Sequence, residues 1–146
     1  MENKLSHEMR RIAGAFIFYS RIPLPSSWFS AKTYHCSRYF SLVGWLVGGV
    51  SVGIWLLAQM MFSDSSGTLS EVSLPIAILL GMIAAVLLTG ALHEDGFADT
   101  CDGFGGGWSP EERLRIMKDS RIGTYGALGL VLLLLLKFFA LLQIET

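Results

Sequence analysis

Residues 40–62 read "FSLVGWLVGGVSVGIWLLAQMMF", an apolar run that contains no charged side chain. A helix rises about 1.5 Å per residue, so this run is long enough to cross a hydrocarbon core of roughly 30 Å. Residues 74–92 are equally free of charge, and residues 126–144 carry only Lys137. Three such runs in 146 residues predict an all-α integral membrane protein, a polytopic bundle with three transmembrane helices.

The length of 146 residues is that of one domain, and we treat residues 1–146 as a single integral membrane domain. The formal net charge of −1 does not indicate attraction to nucleic acid, so no nucleic-acid partner is expected. Membrane lipid is the expected surrounding of the apolar runs.

Lysine and arginine are distributed unevenly between the apolar runs. Residues 1–39 hold six of them, residues 63–73 hold none, and residues 93–125 hold four. The positive-inside rule therefore places the amino terminus and the 93–125 loop in the cytoplasm. Cys36 and Cys101 then lie on the reducing side, where free thiols are expected.

The segment before the first span is also informative. The apolar run at 12–23 is too short to cross a bilayer, so we expect an interfacial segment, with Trp28, Tyr34 and Tyr39 as headgroup anchors.

Two features inside the predicted spans each have more than one interpretation. Within 40–62, two glycine pairs have the spacing that lets helices approach closely, within the chain or in a homo-oligomer. The pairs are Gly44 with Gly48 and Gly49 with Gly53. Lys137 is expected to snorkel, to face a partner or to mark a polar cavity.

The stretch "HEDGFADTCDG" at 93–103 gathers four carboxylates: Glu94, Asp95, Asp99 and Asp102. If the second apolar helix continues through this stretch, the three aspartates lie at i, i+4 and i+7 on one face, with neighbours about 5–6 Å apart. Like charges so placed repel, whereas a hard divalent cation such as Mg²⁺ or Ca²⁺ is stabilised by them. The alternative is an acidic, solvated helix end. His93 is a ligand, a hydrogen-bonding neighbour of the site or an interfacial residue.

The segment that follows predicts a turn and then a short amphipathic helix. "GGGW" at 105–108 is read as a flexible turn, and it lacks the Gly-Lys-Ser/Thr ending of a P-loop. Ser109 is a natural N-cap, Pro110 fits the first helical position and Glu112 completes a capping box. Gly123 is a plausible stop for this helix.

This helix and its exit are basic, through Arg113, Arg115, Lys118 and Arg121. Arginine can bind phosphate with two parallel hydrogen bonds. Asp119 stands among these residues, either as a further metal ligand or as the partner that orients Arg121. Acidic residues for cations beside basic residues for phosphate favour phosphoryl transfer. The alternatives are an ordinary positive-inside loop, a transport subunit with a carboxylate path, and an inert packing module.

Together, "HEDGFADTCDG", the following "KDSRIG" and the early "FYSRIPLP" resemble the cobalamin synthase family, adenosylcobinamide-GDP ribazoletransferase. The resemblance implies a Mg²⁺-dependent enzyme of the bacterial or archaeal inner membrane. It implies that the enzyme joins adenosylcobinamide-GDP to α-ribazole or its 5′-phosphate and releases GMP, late in vitamin B12 assembly. Family members are longer, so we expect the chain to be the amino-terminal part of a longer architecture.

Carried over by position, the resemblance implies metal ligation by Asp95, Asp99 and Asp102. One of these three or Glu94 would take the proton of the attacking hydroxyl. Asp119 and Arg121 match the second motif and would serve metal and phosphate. Lys118 and Arg115, from the same basic segment, are further expected phosphate-binding residues.

"DTCDG" is also similar to the opening of the CDP-alcohol phosphotransferase motif. The Ala-Arg expected shortly after it is absent, so a phospholipid head-group enzyme is the alternative.

Overall fold

Six α-helices make up most of the residues that the computed structural model of the chain describes, which are 4–25, 36–62 and 73–145. No strand occurs within these ranges, so the predicted all-α class is confirmed. A 3-10 turn, Ser37–Tyr39, precedes the second helix. The helices are α1 Lys4–Tyr19, α2 Phe40–Phe62, α3 Ser73–Thr89, α4 Leu92–Gly106, α5 Pro110–Ile116 and α6 Thr124–Glu145.

Two described helices, α2 and α6, are each long and apolar enough to cross a membrane. They expose large apolar side chains, such as Trp45 at 82% and Leu136 at 69%. In water such surfaces would drive association, whereas lipid solvates them. α3 and α4 reach a comparable length only as a pair bent by 86°. The described residues therefore contain two to three candidate spans, and the chain is a membrane protein.

The second apolar helix does not continue into the acidic stretch, which corrects the expected span of 74–92. α3 ends at Thr89, and Gly90 and Ala91 follow with φ of 68° and 62°. These left-handed angles cannot extend a right-handed helix, and for alanine they cost about 1–2 kcal/mol. The Ala91 N–H donates to Val86 O at 3.0 Å, and Asp95 N–H donates to Ala91 O at 2.8 Å. α3 therefore ends at this break, and α4 begins in a new direction.

The packing of α2 against α3 forms the apolar centre of the bundle. Val43 and Ala58 of α2 and Ala77 and Ile78 of α3 are buried. A Cβ on Gly81 would lie 3.0 Å from Ser51 O, so glycine permits a close approach of the two helices.

Lys137 of α6 lines a cavity of about 400 Å³ between α2, α3 and α6. Most of the other lining residues are apolar, among them Trp55 and Met82. The cavity is apolar, so it is not the polar cavity considered for Lys137, and the other two roles, snorkelling and facing a partner, stay predictions.

The glycine pairs of α2 make no close contact within the described residues. A Cβ on Gly44, Gly48, Gly49 or Gly53 would meet nothing within 4 Å. Their role in a homo-oligomer stays a prediction.

The amino-terminal segment forms a longer helix than the run at 12–23 indicates, and α1 docks on the start of α2. The Tyr19 and Phe40 rings meet edge to face at 4.5 Å. Glu8 accepts hydrogen bonds from Arg38 and from the Tyr39 hydroxyl. The other two proposed anchors, Trp28 and Tyr34, lie outside the described residues. Placement of α1 at the membrane interface stays a prediction.

Candidate active site

The four carboxylates of the acidic stretch all lie on α4, over two and a half turns of one helix. The spacing of i, i+4 and i+7 for the three aspartates therefore holds, although α4 is a new helix and not a continuation of α3. Asp95 is exposed, Asp99 and Glu94 are half-buried, and Asp102 is buried. Glu94 and Asp95 lie in the first turn, where the helix dipole favours negative charge.

Asp102 binds the amino terminus of α6. Its Oδ2 accepts from Gly123 N–H at 2.7 Å, and its Oδ1 accepts from Gly126 N–H at 2.8 Å. The first N–H groups of a helix lack intrahelical partners, and a carboxylate there also meets the positive end of the dipole. Asp102 thus caps a helix that begins 22 residues later in the chain.

Glycines on α6 make this contact possible. A Cβ on Gly126 would lie 2.8 Å from Ala98 O, and one on Gly129 would lie 3.3 Å from Cys101 Cβ. With Gly123, which faces Asp102, they recur every third residue along the surface that meets α4. Sequence reasoning missed this contact and assigned Gly123 as the end of the preceding helix. The glycine spacing in "GTYGALG" at 123–129 was the available signal.

Asp95 and Asp99 are the carboxylates that remain open to a ligand. Among the described residues, neither side chain has a hydrogen bond or an ion pair. Asp99 lies one turn from both Asp95 and Asp102, so it experiences like charges from two sides. A cation bound at this face would relieve that repulsion.

Glu94 and His93 begin α4 in different environments. Glu94 Oε2 is buried and has no hydrogen-bond partner among the described residues. His93 stacks its ring on Tyr19, with centroids 5.6 Å apart. This contact is a packing role, and the three readings of His93 stay predictions.

A magnesium ion fits this donor set only in part. Within residues 4–25, 36–62 and 73–145, no three His, Cys, Asp or Glu side chains are placed to hold a metal together. Mg²⁺ usually takes one or two carboxylates and completes its shell with water and substrate phosphate. Asp95 and Asp99 supply hard, partnerless oxygens of that kind, so they fit a metal that is shared with a phosphate ligand.

The glycine-rich stretch after the aspartates is helical for longer than expected, because Gly105 and Gly106 still belong to α4. Its glycines leave room for side chains of the neighbouring elements. A Cβ on Gly103 would lie 2.8 Å from Met117 Cγ, and one on Gly105 would lie 2.6 Å from Tyr125 Cδ2. The stretch therefore lets α5 and α6 fold closely onto α4, and the turn is confined to 107–109.

α5 begins as the sequence predicts but ends earlier. Ser109 Oγ accepts from Glu112 N–H at 3.2 Å, and Pro110 occupies the first position. Glu112 Oε2 reaches back to Trp108 N–H at 3.0 Å, one residue before the cap. The helix ends at Ile116, well before Gly123.

The basic residues divide into bound and exposed groups. Arg113 Nε donates to Gly107 O at 3.0 Å, and its guanidinium lies 4.9 Å from the Phe104 ring centroid. Arg113 is therefore a packing residue. Arg115 makes only a long, exposed ion pair of 3.9 Å with Glu112, and Lys118 is exposed.

Asp119 pairs with Arg121, which is the second of the two roles considered for it. Arg121 Nη2 lies 2.7 Å from Asp119 Oδ2, and Nε lies 3.1 Å from Oδ1. These hydrogen bonds lower the pKa of Asp119 below its ordinary value. The ion pair is exposed and keeps Arg121 beside the amino terminus of α6.

A family model described as Cobalamin-5-phosphate synthase matches residues 11–146. A relative from Shewanella frigidimarina is 53% identical over 133 residues, which is 89% of this chain and 47% of the relative. One from Leptospira interrogans is 46% identical over 145 residues, which is 97% of this chain and 51% of the relative.

Both relatives carry the name adenosylcobinamide-GDP ribazoletransferase. The chain spans about half the length of the curated relatives it matches. No solved structure matches.

Proposed function

The chain belongs to the cobalamin-5-phosphate synthase family, and from that premise we propose that it acts as an adenosylcobinamide-GDP ribazoletransferase. The proposed substrates are adenosylcobinamide-GDP and α-ribazole or its 5′-phosphate. The proposed products are GMP and adenosylcobalamin or its 5′-phosphate. Because the chain spans about half of its relatives, activity of this chain by itself is part of the proposal.

One observation carries the proposal at the level of chemistry. A single helix presents Asp95 and Asp99, which have no hydrogen bond or ion pair with any described residue, and a segment with exposed cations packs onto the same helix. Phosphoryl transfer depends mainly on positioning and on neutralising charge, which this pairing provides. The family match favours this reaction over a CDP-alcohol phosphotransferase and over a transport or packing subunit.

In the proposed reaction, a ribazole hydroxyl attacks the phosphorus that carries the cobinamide oxygen. A new P–O bond forms, and the bond from that phosphorus to the bridging oxygen breaks. GMP leaves with the bridging oxygen and its electron pair. The hydroxyl proton goes to one of the carboxylates of α4, Glu94, Asp95, Asp99 or Asp102.

Asp95 and Asp99 are the proposed principal ligands of Mg²⁺. When bound, the ion would neutralise charge on the pyrophosphate and on the leaving GMP. Asp102 and Asp119 already have strong partners, in the α6 amino terminus and in Arg121. Each retains free lone pairs, so they rank as secondary ligands.

Arg115, Lys118 and Arg121 are the proposed phosphate-binding residues. Arg115 and Lys118 have exposed cationic groups, and Asp119 fixes the orientation of Arg121. An arginine held in this way loses less side-chain entropy when it binds phosphate.

The proposed location is the bacterial or archaeal cytoplasmic membrane, with the site facing the cytoplasm. The uneven distribution of lysine and arginine supports this orientation.

The deciding experiment measures GMP release from adenosylcobinamide-GDP and α-ribazole by membranes that contain this chain. Release that needs Mg²⁺ and yields the joined corrinoid is the expected result. Membranes with the Asp95→Asn, Asp99→Asn double variant serve as the control. Release from that control equal to the wild type would refute the site, and no release from the wild type would refute activity of this chain.

A further inference from the structure

Arg21 lies at the break between α3 and α4, in the extended segment after α1. Its backbone N–H donates to Leu88 O at 2.8 Å, near the end of α3. Its side chain packs directly against Gly90. A Cβ built on Gly90 would lie only 2.8 Å from Arg21 Cγ and 2.9 Å from Arg21 Cδ. The left-handed Gly90 thus leaves space that the arginine stem fills.

A second contact places the same segment beside the first turn of α4. Tyr19, two residues before Arg21, stacks on His93. The first turn of α4 carries Glu94 and Asp95. The Arg21 backbone hydrogen bond, the packing of its aliphatic stem on Gly90 and the stacking of the nearby Tyr19 ring therefore hold Arg21 at the amino-terminal end of α4, where the carboxylates begin.

The guanidinium itself is exposed and has no hydrogen bond or ion pair with any described residue. In this it differs from the other arginines in the described part of the chain. All of those take part in side-chain interactions: Arg10, Arg11, Arg38, Arg113, Arg115 and Arg121. A guanidinium whose stem is positioned and whose five donors are unused is suited to an external anion.

We propose that the Arg21 guanidinium binds a phosphate oxygen of the nucleotide substrate at the first turn of α4. This inference rests on the proposed function and adds a phosphate contact at the end of α4 opposite to α5. The nucleotide substrate would then have cations at both ends of the carboxylate helix. Arg21 is a binding residue in this scheme, because it touches the substrate and moves no proton.

The test measures equilibrium binding of adenosylcobinamide-GDP to the purified full chain in phospholipid-free detergent micelles with Mg²⁺. Arg21→Met keeps an unbranched stem over Gly90 and removes the charge, so it should preserve folding. We expect binding roughly 10- to 100-fold weaker in Arg21→Met, the range for losing charge-assisted hydrogen bonds. Arg21→Lys keeps the positive charge but loses the planar guanidinium that donates two parallel hydrogen bonds. Its affinity should lie between those of the wild type and Arg21→Met.

The matched control is Arg11→Met, which removes a cation that is paired with Glu8 on α1. It should bind the nucleotide as the wild type does. In turnover, Arg21→Met should raise KM more than it lowers kcat.

Three outcomes would overturn the inference in distinguishable ways. Wild-type affinity in Arg21→Met refutes this contact alone and leaves the proposed function standing. If the variant weakens only attachment to phosphatidylglycerol vesicles, the ligand is a lipid headgroup phosphate and the inference fails. Absence of nucleotide binding by the wild type refutes the proposed function together with this contact.

Discussion

At the scale of the residue, Asp99 and Asp102 stand one turn apart on α4 and have different partners. Asp102 is buried, and each of its carboxylate oxygens accepts a hydrogen bond from a backbone N–H at the amino terminus of α6, those of Gly123 and Gly126. Asp99 is half-buried, has no partner among the described residues and lies between two like charges. The same substitution at the two positions should therefore have opposite consequences for stability and for ligand binding.

Asp99→Asn should remove Mg²⁺-dependent turnover while the protein stays folded. Loss of a ligand to a catalytic cation costs several kcal/mol of transition-state stabilisation, which corresponds to about 100-fold or more in rate. GMP release across a Mg²⁺ titration measures this effect. Glu111→Gln, an exposed carboxylate of α5, is the control and should behave as the wild type. Wild-type turnover in Asp99→Asn would contradict the metal assignment.

Asp102→Asn should lower the free energy of unfolding by about 1–3 kcal/mol, the cost of a buried group left without its hydrogen bond. An amide presents one oxygen and one NH₂, so one of the two α6 N–H groups would face a donor. Unfolding in mixed detergent, followed by circular dichroism, measures the loss. Asp99→Asn is the matched comparison, because removing a repelled charge should leave stability unchanged or slightly higher. Equal stability of Asp102→Asn and the wild type would show that the cap is unimportant.

At the scale of the element, glycine has two distinct uses. Glycines of α4 and α6 sit where a Cβ would overlap a neighbouring helix, as at Gly105 and Gly126. The α2 glycines have open space around them. At 100° per residue, Gly49 and Gly53 project to the side of α2 opposite Ser51, which meets α3. Among the described residues nothing lies within 4 Å of a Cβ at either glycine, so the prediction is that a second copy of the chain packs on this face.

Gly49→Leu should leave the monomer folded and weaken self-association. A Cβ at position 49 meets nothing within 4 Å among the described residues, but a leucine there would separate two helices that pack through glycine. Light scattering or cross-linking in detergent measures the oligomeric state. Val50→Leu, on a neighbouring face, should not change it. A monomeric wild type, or a Gly49→Leu variant that associates as the wild type does, would refute a homo-oligomer through this face.

The docking of α1 on α2 should depend on pH through Glu8. Hydrogen bonds from Arg38 and Tyr39 lower the pKa of Glu8 to about 2. A lowered folded-state pKa stabilises docking above the unfolded value of about 4.3. That contribution is lost as pH falls from about 4.3 through about 2. NMR of the Glu8 carboxyl carbon measures the midpoint, and Arg38→Met should return it towards 4.3. A wild-type midpoint near 4.3 would contradict the ion pair.

At the scale of the whole molecule, the arrangement separates an apolar part from a polar one. α2 and α6 expose apolar side chains to lipid, while the carboxylates and cations collect on α4, α5 and the start of α6. The bend of 86° after α3 turns α4 away from the direction of the preceding apolar helix. The acidic face is thereby presented beside the basic segment instead of extending a span.

The predicted orientation places the α4–α5 turn in the cytoplasm and the end of α6 outside. Trp108 in that turn is 92% exposed, and Ile144 near the end of α6 is 77% exposed. In a background with Cys36→Ser and Cys101→Ser, an impermeant maleimide should label Trp108→Cys only in inverted vesicles. Ile144→Cys should label only in right-side-out vesicles. The reverse pattern would overturn the orientation.

The sequence by itself determined the features that depend on short-range chemistry. The charge-free run at 40–62 and the run at 126–144, in which Lys137 is the single charged residue, predict membrane helices, because the cost of burying charge in lipid is a property of composition. The aspartate spacing on α4 and the Ser109 cap follow from helical periodicity and from the needs of a helix end, so both were predictable.

The tertiary structure decided which of these polar side chains bond to another part of the protein and which remain available to a ligand. The hydrogen bond from Gly126 N–H to Asp102 Oδ1 spans 24 positions, and the packing of Arg21 over Gly90 joins segments far apart in the chain. The break at Gly90–Ala91 likewise depends on contacts that offset the strain of the left-handed Ala91. Such contacts form only when helices pack, so local patterns could indicate a carboxylate face but could not separate its structural carboxylate from those open to a ligand.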